Sequence, residues 1–350
     1  MKKILVLILI LFSTFIYAAE TKDVPVLILG GGPAGLTAAI YCGRAGIKPV
    51  VITGDSVGGM ITQSPRVENW PGRDVISGIE LGKDLENQAR LNGAELLREE
   101  VIDVVLSQDL SQKAHQITTR SLITQEEVIY YTPIVVVALG ATPNKLHVPG
   151  EQSYWSKGVY SCAVCDGGFY KDKIVAVAGG GDGALTEAQY LANLAKKVYI
   201  IVRGRAFRTV EKQREKQVTS LPNIEVLYQM EVKEIKGEKD RVSHLILSNQ
   251  KHKKSYHLPV DALFLAIGSV PNTKLFANQL ELDSGYIRLK QHQKTSVKGV
   301  YAAGEVADPE FKQAICAAAD GAKAAMQLQK EINKPCKPCE LLQNKLKKEL

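Results

Sequence analysis

The sequence has no apolar run of the roughly 20 residues that a membrane-spanning helix requires. The apolar stretch behind Met1-Lys2-Lys3 covers only 4–17. With its positive start and Ala18 or Ala19 at its end, it has the build of a signal-peptide core. The other use for it, a first strand of the domain, is already taken by 24–29. Residues 1–19 are therefore expected to be a removed export signal. That implies a periplasmic or lumenal protein without a stable membrane span, a cytoplasmic location being the alternative. Cysteine is also scarce, and six in 350 residues exclude the dense disulfide framework of a small secreted domain. Four of the six fall in two Cys-x-x-Cys pairs, which points to redox or metal chemistry, while Cys42 and Cys316 read as small buried hydrophobes. The net charge of +7 includes Lys2, Lys3 and a lysine-rich end. No basic stripe alternates with aromatics, so no nucleic-acid partner is expected.

What the chain does contain, it contains twice. Val26-Leu27-Ile28-Leu29 runs into Gly30-Gly31-Gly32-Pro33-Ala34-Gly35, and Ile174-Val175-Ala176-Val177-Ala178 runs into Gly179-Gly180-Gly181-Asp182-Gly183-Ala184. Each is an apolar strand, a glycine turn and the start of a helix, the context in which backbone closely approaches a pyrophosphate. A second echo links Val135-Val136-Val137-Ala138-Leu139-Gly140-Ala141-Thr142-Pro143-Asn144 to Leu263-Phe264-Leu265-Ala266-Ile267-Gly268-Ser269-Val270-Pro271-Asn272. Both are apolar strands closed by turn-forming residues, and they read as two crossings of one domain boundary. Residues 143–269 then form a domain inserted into another, which is split into 24–142 and 270–333.

Each unit starts strand, turn, helix, strand: 26–29, 33–45 and 49–53 in the first, 174–178, 184–194 and 198–202 in the second. Such βαβ starts predict parallel sheets with right-handed crossovers. The first unit continues with a helix over 74–92 and strands near 101–106, 116–119 and 127–130 in a smaller antiparallel layer. A short strand at 299–304 and an Ala-rich helix over 313–330 complete it. The expected fold is α/β, with two Rossmann-like three-layer dinucleotide-binding domains, one inserted into the other.

Neither turn is followed by the acidic residue that grips an NAD ribose. In the first unit the second strand ends in Thr53-Gly54, so NAD is not favoured there over FAD. In the second unit Val202 is followed by Arg203, Arg205 and Arg208. Their planar forks suit the extra 2′-phosphate of NADPH, placed over Gly179, Gly181, Asp182, Gly183 and Ala184. The other reading is a solvated basic helix start, continued by Lys212 and Arg214.

Between the turns lies Cys162-Ala163-Val164-Cys165-Asp166. One thiolate of such a pair attacks a partner's disulfide and the other thiol resolves the mixed disulfide. Asp166 can shuttle the proton that the leaving thiolate needs. The competing reading is a four-thiolate zinc site shared with Cys336 and Cys339, for which no zinc-ribbon framework surrounds the pairs. No metal is expected.

These motifs, with Gly58-Gly59-Met60-Ile61-Thr62, Val67-Glu68-Asn69-Trp70-Pro71-Gly72 and Gly299-Val300-Tyr301-Ala302-Ala303-Gly304-Glu305-Val306 followed by Gln313-Ala314, resemble the low-molecular-weight thioredoxin reductases. The match runs in order from about 24 to 333. It implies FAD held by Gly30, Gly32, Gly35, Asn69, Gly304, Glu305, Gln313 and Ala314, with Pro33, Ala34 and Gly59 beside it. It also implies NADPH on the second turn, a homodimer and a thioredoxin-like protein substrate. By the same resemblance, Cys165 faces the flavin and Cys162 attacks the partner. Three positions depart from the family: Met60 where Gln is usual, Gly183 for Ser, and Glu305 for Asp. The 2′-phosphate motif, usually His-Arg-Arg and a further Arg after three residues, reads Val202-Arg203-Gly204-Arg205-Ala206-Phe207-Arg208.

The expected function is thioredoxin-disulfide reduction, with electrons from NADPH passing through FAD and the Cys162-Cys165 disulfide. An exported dithiol oxidase of the same scaffold, using oxygen, is the alternative. Export favours it, because a thioredoxin-like couple at about −270 mV faces a poise of about −200 mV in an oxidising compartment, about 3 kcal/mol toward oxidation. A non-catalytic flavin redox sensor is a third reading, against which the intact Cys162-to-Asp166 run argues. Because the insert carries both the dithiol and the second turn, it is expected to rotate about Gly140-Ala141 and Gly268-Ser269. The tail over 334–350, with Cys336 and Cys339, reads either as a second dithiol fed by Cys162 or as a solvated Lys/Glu end.

Overall fold

The computed structural model describes residues 19–64, 67–110, 112–209, 212–249, 251 and 254–332. The expected signal up to residue 18, and the tail with Cys336 and Cys339, lie outside the described residues. No helix among those described is long and apolar enough to cross a membrane.

Leu27–Leu29 forms the centre of a five-stranded parallel sheet, ordered Val300–Ala302, Val135–Val137, Leu27–Leu29, Val50–Ile52, Glu95–Leu97. Its inner strands are apolar at every position because both faces are covered. Ile28, Val51 and Val136 pack on one side with Leu36, Ala38 and Ala39 of the Pro33–Arg44 helix and with Leu81 and Leu85 of the Gly78–Leu91 helix. Leu27, Leu29, Val135 and Val137 pack on the other with Val104, Ile117 and Tyr130. Those three belong to a four-stranded layer ordered Glu20–Asp23, Glu127–Thr132, His115–Ser121, Glu99–Val105. Glu20–Asp23, a mostly exposed polar strand, pairs in parallel with its neighbour, and the other pairings are antiparallel.

The insert repeats the plan. Its parallel sheet runs Val159–Tyr160, Ala262–Leu265, Ile174–Ala178, Lys197–Val202, Ile224–Tyr228. Val175 and Val177 face Ala184, Leu185 and Ala188 of the Asp182–Ala192 helix. Ala176 and Ala178 face Val232, Leu245 and Leu247 of an antiparallel layer built from Met230–Glu238, Arg241–Asn249 and Ser255–Pro259. Both units are thus three layers deep, as the α/β reading expects.

Local chemistry sets the element ends. The helix expected over 74–92 starts only at Gly78, because Ser77 caps it: the Ser77 hydroxyl accepts from Glu80 N–H, and Glu80 accepts from Ser77 N–H. The helix expected from 184 starts at Asp182, and that expected from 313 runs over Ala314–Ile332.

The two crossings lie side by side, Ala141–Pro143 pairing antiparallel with Ser269–Pro271. Asn144 N–H donates to Gly268 O and Asn272 N–H to Gly140 O, both at 3.0 Å. Their side chains repeat the exchange, Asn144 Nδ2 to Ile267 O at 3.1 Å and Asn272 Nδ2 to Leu139 O at 2.9 Å. Gly140 (φ +65°) and Gly268 (φ +86°) are left-handed, which makes this paired connector a place where chain direction can change cheaply.

Candidate active site

The Pro33–Arg44 helix starts at Gly32 with no side-chain cap and no acidic residue in its first turn. Its free N–H groups remain available to an anion. Behind the turn there is no room: a Cβ at Gly35 would lie 1.9 Å from the Gly30 carbonyl oxygen, and one at Gly30 2.1 Å from that of Ala138. In front, a Cβ at Gly32 would meet only the Gly59 Cα, at 4.0 Å, so Gly59 forms the far wall of a space beside the uncapped donors. That cradle of uncapped donors fits the pyrophosphate of FAD. Gly304 (φ +76°) packs between Ala34 and Ala317, and Asn69 Nδ2 donates to Gln313 Oε1 at 3.2 Å. Gly30, Gly32, Pro33, Ala34, Gly35, Gly59 and Gly304 therefore share one neighbourhood, to which Ala314 and the Asn69–Gln313 pair connect through the Ala314–Ile332 helix. Glu305 is engaged elsewhere. It accepts from Ser269 Oγ at 3.1 Å and pairs with Lys312 Nζ at 3.4 Å, so a ribityl hydroxyl would have to share it with the connector.

At the second turn, Gly181 caps the Asp182–Ala192 helix without a side-chain bond, and Cβ atoms at Gly181 or Gly183 would meet nothing within 4 Å. Gly179 is pressed against the Ala266 carbonyl, as Gly30 is against that of Ala138. The arginine loop is folded onto the turn: Arg208 N–H donates to Gly180 O at 2.7 Å, and Thr209 Oγ1 donates to the Asp182 carboxylate. Buried Phe207 anchors the loop edge-on against Tyr228 at 5.8 Å. Arg203, Arg205 and Arg208 stay exposed, and among the described residues no carboxylate pairs with them. An open turn with free guanidinium groups fits a dinucleotide bearing an extra phosphate. The Asp182 carboxylate thus accepts a bond from Thr209 beside the open turn.

Cys162 and Cys165 form a disulfide with Cα atoms 5.3 Å apart. Cys162 caps the one-turn helix Ala163–Asp166, its Sγ accepting from Cys165 N–H at 3.1 Å. Asp166 is 6% exposed and its Oδ1 has no hydrogen-bond partner. Burial pushes its pKa up to about 7. Sequence reading missed Glu187, whose carboxylate accepts from Ala163 N–H. Burial pushes Glu187 up to about 7 as well, with the Ala163 N–H pulling it down and the Asp166 carboxyl adding to the rise. It also missed the contact between units, in which Trp155 Nε1 donates to Gln63 Oε1 at 2.8 Å while Lys145 sits over the Trp155 ring. Nearby, a Cβ at Gly168 would lie 3.7 Å from Glu68 Oε2, so the redox turn faces the 59–69 segment beside the first glycine turn.

The fold and this site define a two-nucleotide disulfide oxidoreductase. The profile of the family described as pyridine nucleotide-disulphide oxidoreductase matches residues 24–321. A thioredoxin reductase of Spironucleus barkhanus is 40% identical over 306 residues, covering 87% of this chain and 97% of its own. The solved thioredoxin reductase of Giardia duodenalis is 39% identical, with a TM-score of 0.80 over 88% of this chain and 98% of its own. One from Lactococcus lactis, described as the FR conformation, is 30% identical and covers the same shares with a TM-score of 0.59. The chain belongs to this family, on its thioredoxin reductase branch.

Proposed function

We propose that the chain is an NADPH-dependent thioredoxin-disulfide reductase in which Cys162 and Cys165 deliver the electron pair and Asp166 the proton. One observation carries the residue roles: the Cys162–Cys165 disulfide adjoins a buried, unpartnered Asp166 oxygen on the unit that bears the arginine-flanked turn. When bound, NADPH would supply a hydride and FAD would supply an electron pair for the disulfide. Gly179, Gly181, Gly183 and Ala184 with Arg203, Arg205 and Arg208 would hold the former, and the first turn with Gly59, Asn69, Gly304, Gln313 and Ala314 the latter.

In the reduced chain, the Cys162 thiolate attacks the partner's disulfide and forms a mixed disulfide. The departing sulfur takes the proton from Asp166. Cys165 then attacks Cys162 Sγ, which restores the disulfide and releases the partner's second sulfur as a thiolate, while the Cys165 proton returns to Asp166. The insert turns about the paired connector between its two tasks. The lower TM-score of the Lactococcus structure at equal coverage supports such a rearrangement of whole units.

The reading also includes a homodimer, checked by sedimentation, and export, checked by whether the mature chain starts after Ala18 or Ala19. The reductase relatives weigh against the oxygen-using oxidase. Anaerobic stopped-flow mixing of Cys165→Ser with NADPH tests the relay. Bleaching of the flavin should persist while partner reduction falls to background, and retained partner reduction would refute the assignment.

A further inference from the structure

A side-chain hydrogen bond joins the helix of the second glycine turn to the redox turn. Glu187 lies in the second turn of the Asp182–Ala192 helix, and its Oε2 accepts from the N–H of Ala163, the residue after Cys162. Its neighbour Asp166 has a buried Oδ1 with no donor. Burial raises both carboxyls alike, and they differ in their hydrogen bonds. A main-chain N–H stabilises negative charge on Glu187, whereas a buried oxygen without a donor favours the proton on Asp166.

The other titratable groups around Asp166 are phenols. Tyr160 and Tyr170 hydrogen-bond to each other at 3.1 Å and are held neutral by burial. Tyr190, on the same helix as Glu187, turns its ring toward Gly167. Arg241 and Asp261 act on Tyr170.

We propose that Glu187 is a positioning residue of the dithiol turn, holding the pair's negative charge on the Ala163 N–H so that Asp166 keeps the proton for thiol exchange. This rests on the reading of Asp166 as proton source. It deepens that reading by naming the group that sets the protonation state of Asp166. It also gives the nucleotide-turn helix a direct hold on the redox turn.

The test is the pH profile of partner-disulfide reduction by the flavin-loaded enzyme, for wild type, Glu187→Gln, Glu187→Ala and Asp166→Asn. Glutamine keeps an acceptor for Ala163 N–H and removes the charge. Its alkaline limb should move to lower pH by about one unit, since a like charge beside Asp166 is gone. An unmoved limb in Glu187→Gln, with loss only in Glu187→Ala, would reduce Glu187 to a structural cap and overturn the proposal. An alkaline limb that persists in Asp166→Asn overturns the reading of Asp166 itself, and the proposal with it. The wild-type chain offers a reading independent of whether the Glu187 variants fold. Its infrared spectrum at neutral pH should contain a protonated-carboxyl band that vanishes in Asp166→Asn, and the absence of that band contradicts the proposal.

Discussion

The two glycine turns share a plan and differ in how they are enclosed. Each follows the central strand of a five-stranded parallel sheet, and each presses its first glycine on the alanine carbonyl that precedes the connector. A Cβ would lie 2.1 Å from the Ala138 oxygen in one and 2.3 Å from the Ala266 oxygen in the other. Around the first turn the protein closes in, with Gly59 over Gly32 and Gly304 against Ala34. At the second, Gly181 and Gly183 face open space, Ala184 stands where the first has Gly35, and three arginines are exposed. Enclosure suits a group that stays, and openness suits one that leaves after each turnover. Resident FAD and exchanging NADPH fit that difference.

The comparison breaks most sharply at its sixth position. Gly35→Ala drives a methyl into the Gly30 carbonyl, and should cost about 3 kcal/mol, the upper end for overpacking, and strip the flavin. The reverse change, Ala184→Gly, should cost about 1 kcal/mol and leave flavin content unaltered. Urea unfolding and the visible spectrum read both.

Next come the arginines. Replacing Arg203, Arg205 or Arg208 singly by Ala should raise KM for NADPH about tenfold, the value of one charge-assisted hydrogen bond. KM for NADH and flavin content should not change. An equal rise for NADH would mean that the loop reads something other than the 2′-phosphate.

A third effect lies on the redox face of the insert. The Asp166 pKa rises from 3.8 to about 7 on folding, so the folded chain holds this proton more tightly than the unfolded one. Its stabilising contribution is complete below pH 3.8 and is lost as pH rises through about 7. Each pH unit in that window costs up to about 1.4 kcal/mol. Asp166→Asn should make this part of the stability profile shallower in denaturant titrations, leaving the slope that buried Glu187 contributes.

The smallest effect belongs to the contact between the units. Gln63→Ala removes the acceptor of Trp155 Nε1, a hydrogen bond worth about 1 kcal/mol. Turnover should change by a few-fold while KM for NADPH and flavin content hold steady, as measured by steady-state kinetics.

The parts of this architecture that were legible in the sequence are those written locally. Both strand-turn-helix starts and the paired Gly140 and Gly268 connectors depend on a few adjacent residues, and they lie where those residues predict. The Ser77 capping box moved a helix start because a single hydroxyl outranks the helical pattern before it. Glu187 left no trace, since 24 residues separate it from Ala163 and a lone Glu in a helix reads as a solvated face. The engagement of Glu305 by Ser269 and Lys312 was equally hidden, because 36 residues separate Ser269 from Glu305.

The central claim is that electrons from the open turn reach the sulfurs at 162 and 165. Anaerobic incubation with NADPH, followed by thiol alkylation and peptide mass analysis, measures it directly. Label should appear on Cys162 and Cys165 after NADPH and not before. A disulfide that remains unlabelled while the flavin is fully bleached would contradict the account.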